Sequence, residues 1–64
     1  MANDVHSDVQ IGQCFQQNHV VWEVVDFKSL NNLPHVKIMK VGDPYECKLI
    51  ALRALRDDFD PAPQ

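Results

Sequence analysis

The sequence predicts a small all-β domain, and three observations favour that fold class. The chain has 64 residues, so we expect one domain with a small core, because a chain of about 60 residues buries only about 60% of its unfolded surface. Short segments alternate apolar and polar residues with the two-residue period of a strand. Glycine, asparagine and proline separate those segments at turn positions. We expect the domain at residues 10–60, between disordered tails at 1–9 and 61–64.

The first two strand candidates lie between residues 11 and 27. In IGQCFQQ, every second residue from Ile11 to Phe15 lies on a face that is mostly apolar. HVVWEVVDF has the strongest β signal, because β-branched and aromatic residues run from Val20 to Val25 with only Glu23 between them. If Glu23 faces water, the alternation directs Val20, Trp22 and Val24 inward and leaves Val21 and Val25 outside.

The next segments predict a loop and then a hairpin. KSLNNLP, residues 28–34, has the composition of a loop. HVKIMKV follows as a third strand with Val36 and Ile38 inward, and its irregular second half predicts a bulge or twist. A tight turn at Gly42, Asp43 and Pro44 leads into a fourth strand. We expect Glu46 to lie near Lys37 or Lys40 across this hairpin.

The period of the pattern changes near Ala51. Leucines at 49, 52 and 55 are spaced three residues apart with charged residues opposite, which is helical spacing. Because so short a helix is marginal in water by itself, a single 3₁₀ or α turn docked on the sheet is favoured. Phe59 then begins a short last strand that Pro61 ends.

This order of elements is that of an SH3-like barrel of about five strands with one short 3₁₀/α turn before the last strand. The alternative is an α+β fold, with a three- or four-stranded sheet and a short C-terminal helix. The segments IGQCF, VWEVVDF and PHVKIMKVGDPYECKLIALRALRDDF also resemble a group of small bacterial SH3-like barrel proteins of unknown function. The similarity covers about residues 11–59. It implies a fold, and it carries no catalytic residue over to this chain.

Composition and charge argue against several function classes. Six basic and nine acidic residues give a formal charge of −3, and no stripe of Lys and Arg is present, which argues against nucleic acid as a partner. No apolar run is long enough to span a bilayer, and the N-terminal MANDVHSDV lacks the pattern of a signal peptide. We therefore expect no membrane association, a cytoplasmic location and reduced thiols.

The chemistry-bearing residues predict no catalytic site, no metal site and no cofactor. Histidines and cysteines show none of the close spacings of zinc ligands. Cys14 and His19, the nearest nucleophile and base in sequence, would lie about 16 Å apart on opposite faces of a strand. His35 at a strand entrance is favoured as a structural histidine over a ligand-binding one. Arg53 and Arg56 are spaced to grip an anion, although the neighbouring acids favour a neutralised, solvated turn.

We therefore expect a protein-interaction or assembly module without catalytic activity, bound to an unidentified protein or to itself. The candidates for partner contact are Val21, Val25, Phe27, His35, Arg53 and Arg56. The contact uses either the outer apolar face of Val21, Val25 and Phe27 or an unpaired edge strand.

Two alternatives belong to other classes. One is a subunit of an oligomeric enzyme whose site forms at a pore, as in the SH3-like, trimethoprim-resistant dihydrofolate reductase. That enzyme's pore Gln and Tyr correspond here to Lys48 and Ile50. The other is a weak nucleic-acid-binding SH3-like domain. A strictly monomeric protein excludes the first, and nucleic-acid binding that weakens steeply with salt would identify the second.

Overall fold

A five-stranded antiparallel sheet forms most of the computed structural model, which describes residues 9–62. The strands are β1 (Cys14–Gln17), β2 (Val20–Leu30), β3 (Leu33–Lys40), β4 (Asp43–Ala51) and β5 (Asp60–Pro61), with helix α1 (Leu52–Asp58) between the last two. Strand accounts for 63% and helix for 13% of the described residues. The all-β class, the five strands and the short helix before the last strand are thus confirmed.

The strands lie in the order β4-β3-β2-β1-β5, so β4 and β5 form the two edges. Successive strands from β1 to β4 pair with each other, and β5 returns to pair with β1 through Phe15↔Pro61. The expected barrel is not observed: the two edge strands do not pair with each other, and the sheet stays open. Helix α1 packs instead against β3 and β4.

The core consists of one apolar cluster between the sheet and α1. Alternate residues of β2 and β3 point into it, as the phase of Glu23 predicts, and Leu52 and Leu55 enter it from the helix. The buried residues are Val9, Phe15, Trp22, Val24, Val36, Ile38, Leu52, Leu55 and Phe59. Leu49, the first leucine of the predicted helical set, lies on β4 and is exposed.

Tight turns make the strands longer than the sequence predicts. Asn31 and Asn32 adopt φ of 53° and 64°, the left-handed conformation of a type I′ hairpin turn. Strands β2 and β3 therefore extend to Leu30 and from Leu33, and the predicted loop at 28–34 is reduced to two turn residues. The loop was predicted from its composition. Two residues are enough to connect antiparallel strands when both tolerate positive φ, so the other residues of this segment can continue the strands.

The next turn and the helix also differ slightly from expectation. The turn lies at Val41–Gly42, with Gly42 at φ 91°, and Asp43 already pairs with Lys40. Helix α1 has seven residues, about two turns, instead of one. Its two buried leucines explain the extra turn, because burial of an apolar face stabilises a helix that is marginal alone.

Residues just outside the predicted bounds of 10–60 also contact the fold. Val9 is buried in the core, and the Ala62 N–H donates to the Cys14 carbonyl over 3.0 Å. These residues were expected in the tails, but the apolar side chain of one and the backbone pairing of the other tie them to the sheet. The remainder of both predicted tails, residues 1–8 and 63–64, lies outside the described residues.

Candidate interaction surface

Strand β4 is exposed on both of its faces, and this sets it apart from β2 and β3. Every residue from Pro44 to Leu49 is exposed, whereas β2 and β3 alternate buried and accessible positions. As an edge strand, β4 has β3 on one side and no strand on the other within residues 9–62. We call this outer side of residues 43–51 the β4 edge.

A large bulge shapes the first half of the β4 edge. Lys40 pairs with Asp43, but the preceding residue Met39 pairs with Cys47, so residues 44–46 have no register partner on β3. The Tyr45 N–H donates to Asp43 Oδ1 over 3.3 Å, which holds the bulged backbone like an Asx turn. The bulge presents Tyr45 to solvent with 96% of its surface exposed. The bulge or twist was predicted in the second half of β3; the register does shift there, between Met39 and Lys40, but the extra residues lie on β4.

The alternation of the ladder shows which backbone groups of the β4 edge point outward. Leu33 flanks a two-residue turn, so its backbone N–H and C=O groups bond to β2. The backbone groups of every second residue along β3 therefore also point toward β2. Ile38 lies at an intervening position, so its backbone N–H and C=O groups point toward β4, where its partner is Lys48. The neighbours of Lys48, Cys47 and Leu49, consequently direct their N–H and C=O groups away from β3. Those groups are available to an additional strand.

Lys48 covers the core at this side of the sheet. It lies opposite the fully buried Ile38, and its Nζ lies 4.7 Å from the centroid of the Trp22 ring. This distance is within the range of a cation–π interaction. The only tryptophan of the chain is therefore in contact with the edge strand.

The expected placement of Phe27 on the outer face is wrong. The register of β2 against β3 shifts between Val24 and Asp26, and one extra residue moves all later side chains to the opposite face. Phe27 consequently lies opposite Val36 and packs against the core cluster. Val21 and Val25 are half-buried, so the three residues do not form one outer apolar face.

The other predicted contact residues have local roles. His35 is half-buried, and its Nδ1 lies 3.0 Å from the Leu33 carbonyl, to which an Nδ1–H donates. Arg53 Nε lies 3.9 Å from Asp57 Oδ2 one helical turn away, with both side chains exposed. Arg56 is exposed on the same helix. The structure therefore does not gather these three residues into one site.

The two cysteines are free and lie on different strands, Cys14 on β1 and Cys47 on β4, with β2 and β3 between them. Cys47 is exposed, and its Sγ contacts the Pro44 carbonyl at 3.5 Å. Within residues 9–62, no three His, Cys, Asp or Glu side chains converge as metal ligands.

An open polar concavity of about 330 Å³ lies over residues 16–19 and Asp60. Helix α1, the only helix in residues 9–62, is too short to cross a membrane.

Sequence reasoning identified an unpaired edge strand as one possible contact but named none of its residues. The exposed set at the β4 edge is Tyr45, Glu46, Cys47, Lys48 and Leu49. Their alternation is visible in the sequence, although alternation alone does not reveal that both faces are exposed.

Fold and surface together define a small all-β domain with an open sheet edge. No family model, curated protein or solved structure matches the chain. The resemblance to small bacterial SH3-like barrel proteins therefore stays a prediction.

Proposed function

We propose that this protein is a non-catalytic interaction module that binds an extended protein segment along the β4 edge. The observation that carries the proposal is the exposure of residues 44–49 on both faces of an edge strand. Strand addition to such an edge obtains affinity from main-chain hydrogen bonds and specificity from side chains at alternate positions.

The β4 edge offers both kinds of contact. Cys47 and Leu49 direct backbone donors and acceptors outward, whereas in the bulge the Tyr45 N–H already donates to Asp43 Oδ1. Tyr45 and Leu49 supply apolar surface, with 96% and 42% of their areas exposed. Aromatic residues are typical anchors of protein interfaces because they bury a large area with few rotatable bonds.

The edge also limits what binds. Pro44 lacks an N–H and ends the pairing stretch at one side, and α1 begins at Leu52 on the other. Charged side chains and a bulge are typical protections against indiscriminate edge pairing. The accessible segment from Tyr45 to Leu49 is therefore short, and we expect binding that is specific and weak.

The test is a selection of displayed extended peptides on the purified protein, followed by titration of selected peptides into ¹⁵N-labelled protein. Leu49→Pro is the blocking variant, because it removes an outward N–H that β3 does not use. Arg53→Ala, on the exposed face of α1, is the matched control. We expect amide shifts concentrated at residues 45–49, loss of binding in Leu49→Pro and unchanged binding in Arg53→Ala.

Circular dichroism must show that Leu49→Pro keeps the fold. Selected peptides that shift amides elsewhere and bind Leu49→Pro as well as the natural protein would contradict the proposal. Ile50→Pro serves as a further comparison, since the Ile50 N–H faces Val36 and its loss is expected to destabilise the sheet itself.

A further inference from the structure

We infer that the β4 edge pairs with the β4 edge of a second copy of this chain, in an antiparallel arrangement centred on Cys47. This rests on the proposed function, because it names the partner of the same edge. In a two-fold antiparallel pair, residues at equal distances before and after the axis lie opposite each other. Glu46 then faces Lys48 of the second copy, and Tyr45 faces its Leu49.

Charge favours this register over the two adjacent ones. If the axis moved to Glu46, the Glu46 carboxylates of the two copies would face each other. An axis at Lys48 would bring the two Lys48 ammonium groups together. Like charges directly opposite destabilise a strand pair, whereas opposite charges stabilise it. The axis at Cys47 brings opposite charges together, and the symmetry makes that contact twice. Neither Glu46 nor Lys48 forms an ion pair with another side chain in residues 9–62.

The backbone supports the same register. Cys47 points its N–H and C=O outward, so the two copies of Cys47 can exchange a pair of hydrogen bonds across the axis. Tyr45 and Glu46 belong to the bulge that has no partner on β3. Because the Tyr45 N–H already donates to Asp43 Oδ1, the pair of Tyr45 with Leu49 of the second copy would form only the bond from the Leu49 N–H to the Tyr45 carbonyl. Pro44 closes the pairing stretch at its end.

The side chains are also self-complementary in polarity. Tyr45, 96% exposed, would lie over Leu49 of the second copy, which is 42% exposed. An aromatic residue opposite an aliphatic one is a favourable cross-strand pair. Because the pairing stretch covers only residues 45–49, the dimer is expected to be weak, in the class of small transient interfaces.

The register is tested with the cysteine that the chain already carries. In Cys14→Ser protein, the opposed Cα atoms of Cys47 would lie about 5.5 Å apart, within the range that a disulfide bridges. Mild oxidation with diamide should therefore give a Cys47–Cys47 dimer. Two controls carry Cys14→Ser and Cys47→Ser with one new cysteine, either Arg53→Cys on the exposed helix face or Leu49→Cys.

We expect cross-linking at Cys47 at least about five-fold faster than at either control, measured by non-reducing electrophoresis and mass spectrometry. Equal rates at Cys47 and Arg53→Cys would mean random collision and overturn the inference. Faster cross-linking through Leu49→Cys would place the axis at residue 49 and overturn the Cys47 register.

A charge exchange tests the pairing without oxidation. Sedimentation equilibrium would compare the natural protein with Glu46→Lys, Lys48→Glu and the double variant. Each single change replaces two attractive pairs by two repulsive ones and should weaken dimerisation about five-fold or more. The double variant restores opposite charges and should recover it. Since Lys48→Glu also removes the contact with Trp22, urea unfolding of each variant separates folding from association.

The outcomes of these experiments distinguish failure of self-pairing from failure of the proposed function. A protein that stays monomeric into the millimolar range, yet binds extended peptides at residues 45–49, overturns self-pairing and leaves the proposed function standing. A monomer that also binds no peptide there overturns both. A dimer that ignores the charge exchange overturns the Cys47 register.

Discussion

Replacing Leu55 by alanine is expected to remove a large part of the stability of this domain. Leu55 is fully buried on α1, and the change deletes three carbon atoms. At about 0.8 kcal/mol for each buried methylene, the lost transfer free energy is about 2.4 kcal/mol. The cavity left behind adds to this, so we expect a loss of about 3 to 4 kcal/mol.

That loss is a large part of the total free energy of unfolding. At about 0.05–0.15 kcal/mol per residue, a folded unit of this size is stable by only about 3 to 8 kcal/mol. Leu49→Ala is the matched control, because the same atoms are deleted from a residue that is 42% exposed on the edge strand. We expect it to cost about 1 kcal/mol or less.

The assay is urea unfolding followed by far-ultraviolet circular dichroism, with free energies compared at equal m-values. If Leu55→Ala proves unfolded in buffer, Leu55→Met provides a milder step of about 1.5 kcal/mol or less. Equal losses for Leu55→Ala and Leu49→Ala would refute the packing of α1 on the sheet as described.

Three further expectations follow from single features of the fold. Phe27→Ala should cost about 2 kcal/mol in urea unfolding and clearly more than Val21→Ala, because Phe27 packs against the core; the reverse order would contradict the bulge. Gly42→Ala should cost about 1 kcal/mol in thermal unfolding, since its φ of 91° is strained for a residue with a Cβ, and a neutral change would contradict that turn. Lys48→Ala should cost about 0.5–1 kcal/mol through its contact with Trp22, whereas Lys37→Ala on the outer face serves as the control and should stay within about 0.5 kcal/mol.

Much of this fold could be predicted from the sequence because its strongest patterns are local. The phase set by Glu23 placed Trp22 and Val24 correctly in the core, and the change of period near Ala51 marked where β4 gives way to α1. Both depend on residues that are neighbours in the chain, where side-chain periodicity is informative.

The differences arose where bulges shift the register of a strand against its neighbour. The bulge at Val25 lies in a run of valine and aspartate with no glycine to mark it, so Phe27 was expected on the wrong face. Glu46 was expected opposite a lysine of β3, but the bulge at 44–46 removes it from that register. The sequence predicts which face of a strand is apolar. Which residues lie beside that strand in the sheet depends on the whole topology.

The position of Trp22 gives this protein a built-in optical reporter. Its ring is buried in the core and is the chain's only indole, so its fluorescence comes from one environment. The ammonium of Lys48 lies over that ring from the edge strand. Any strand that docks beside β4 and shifts Lys48 should therefore change the emission of Trp22, and occupancy of the edge can be followed in unlabelled protein.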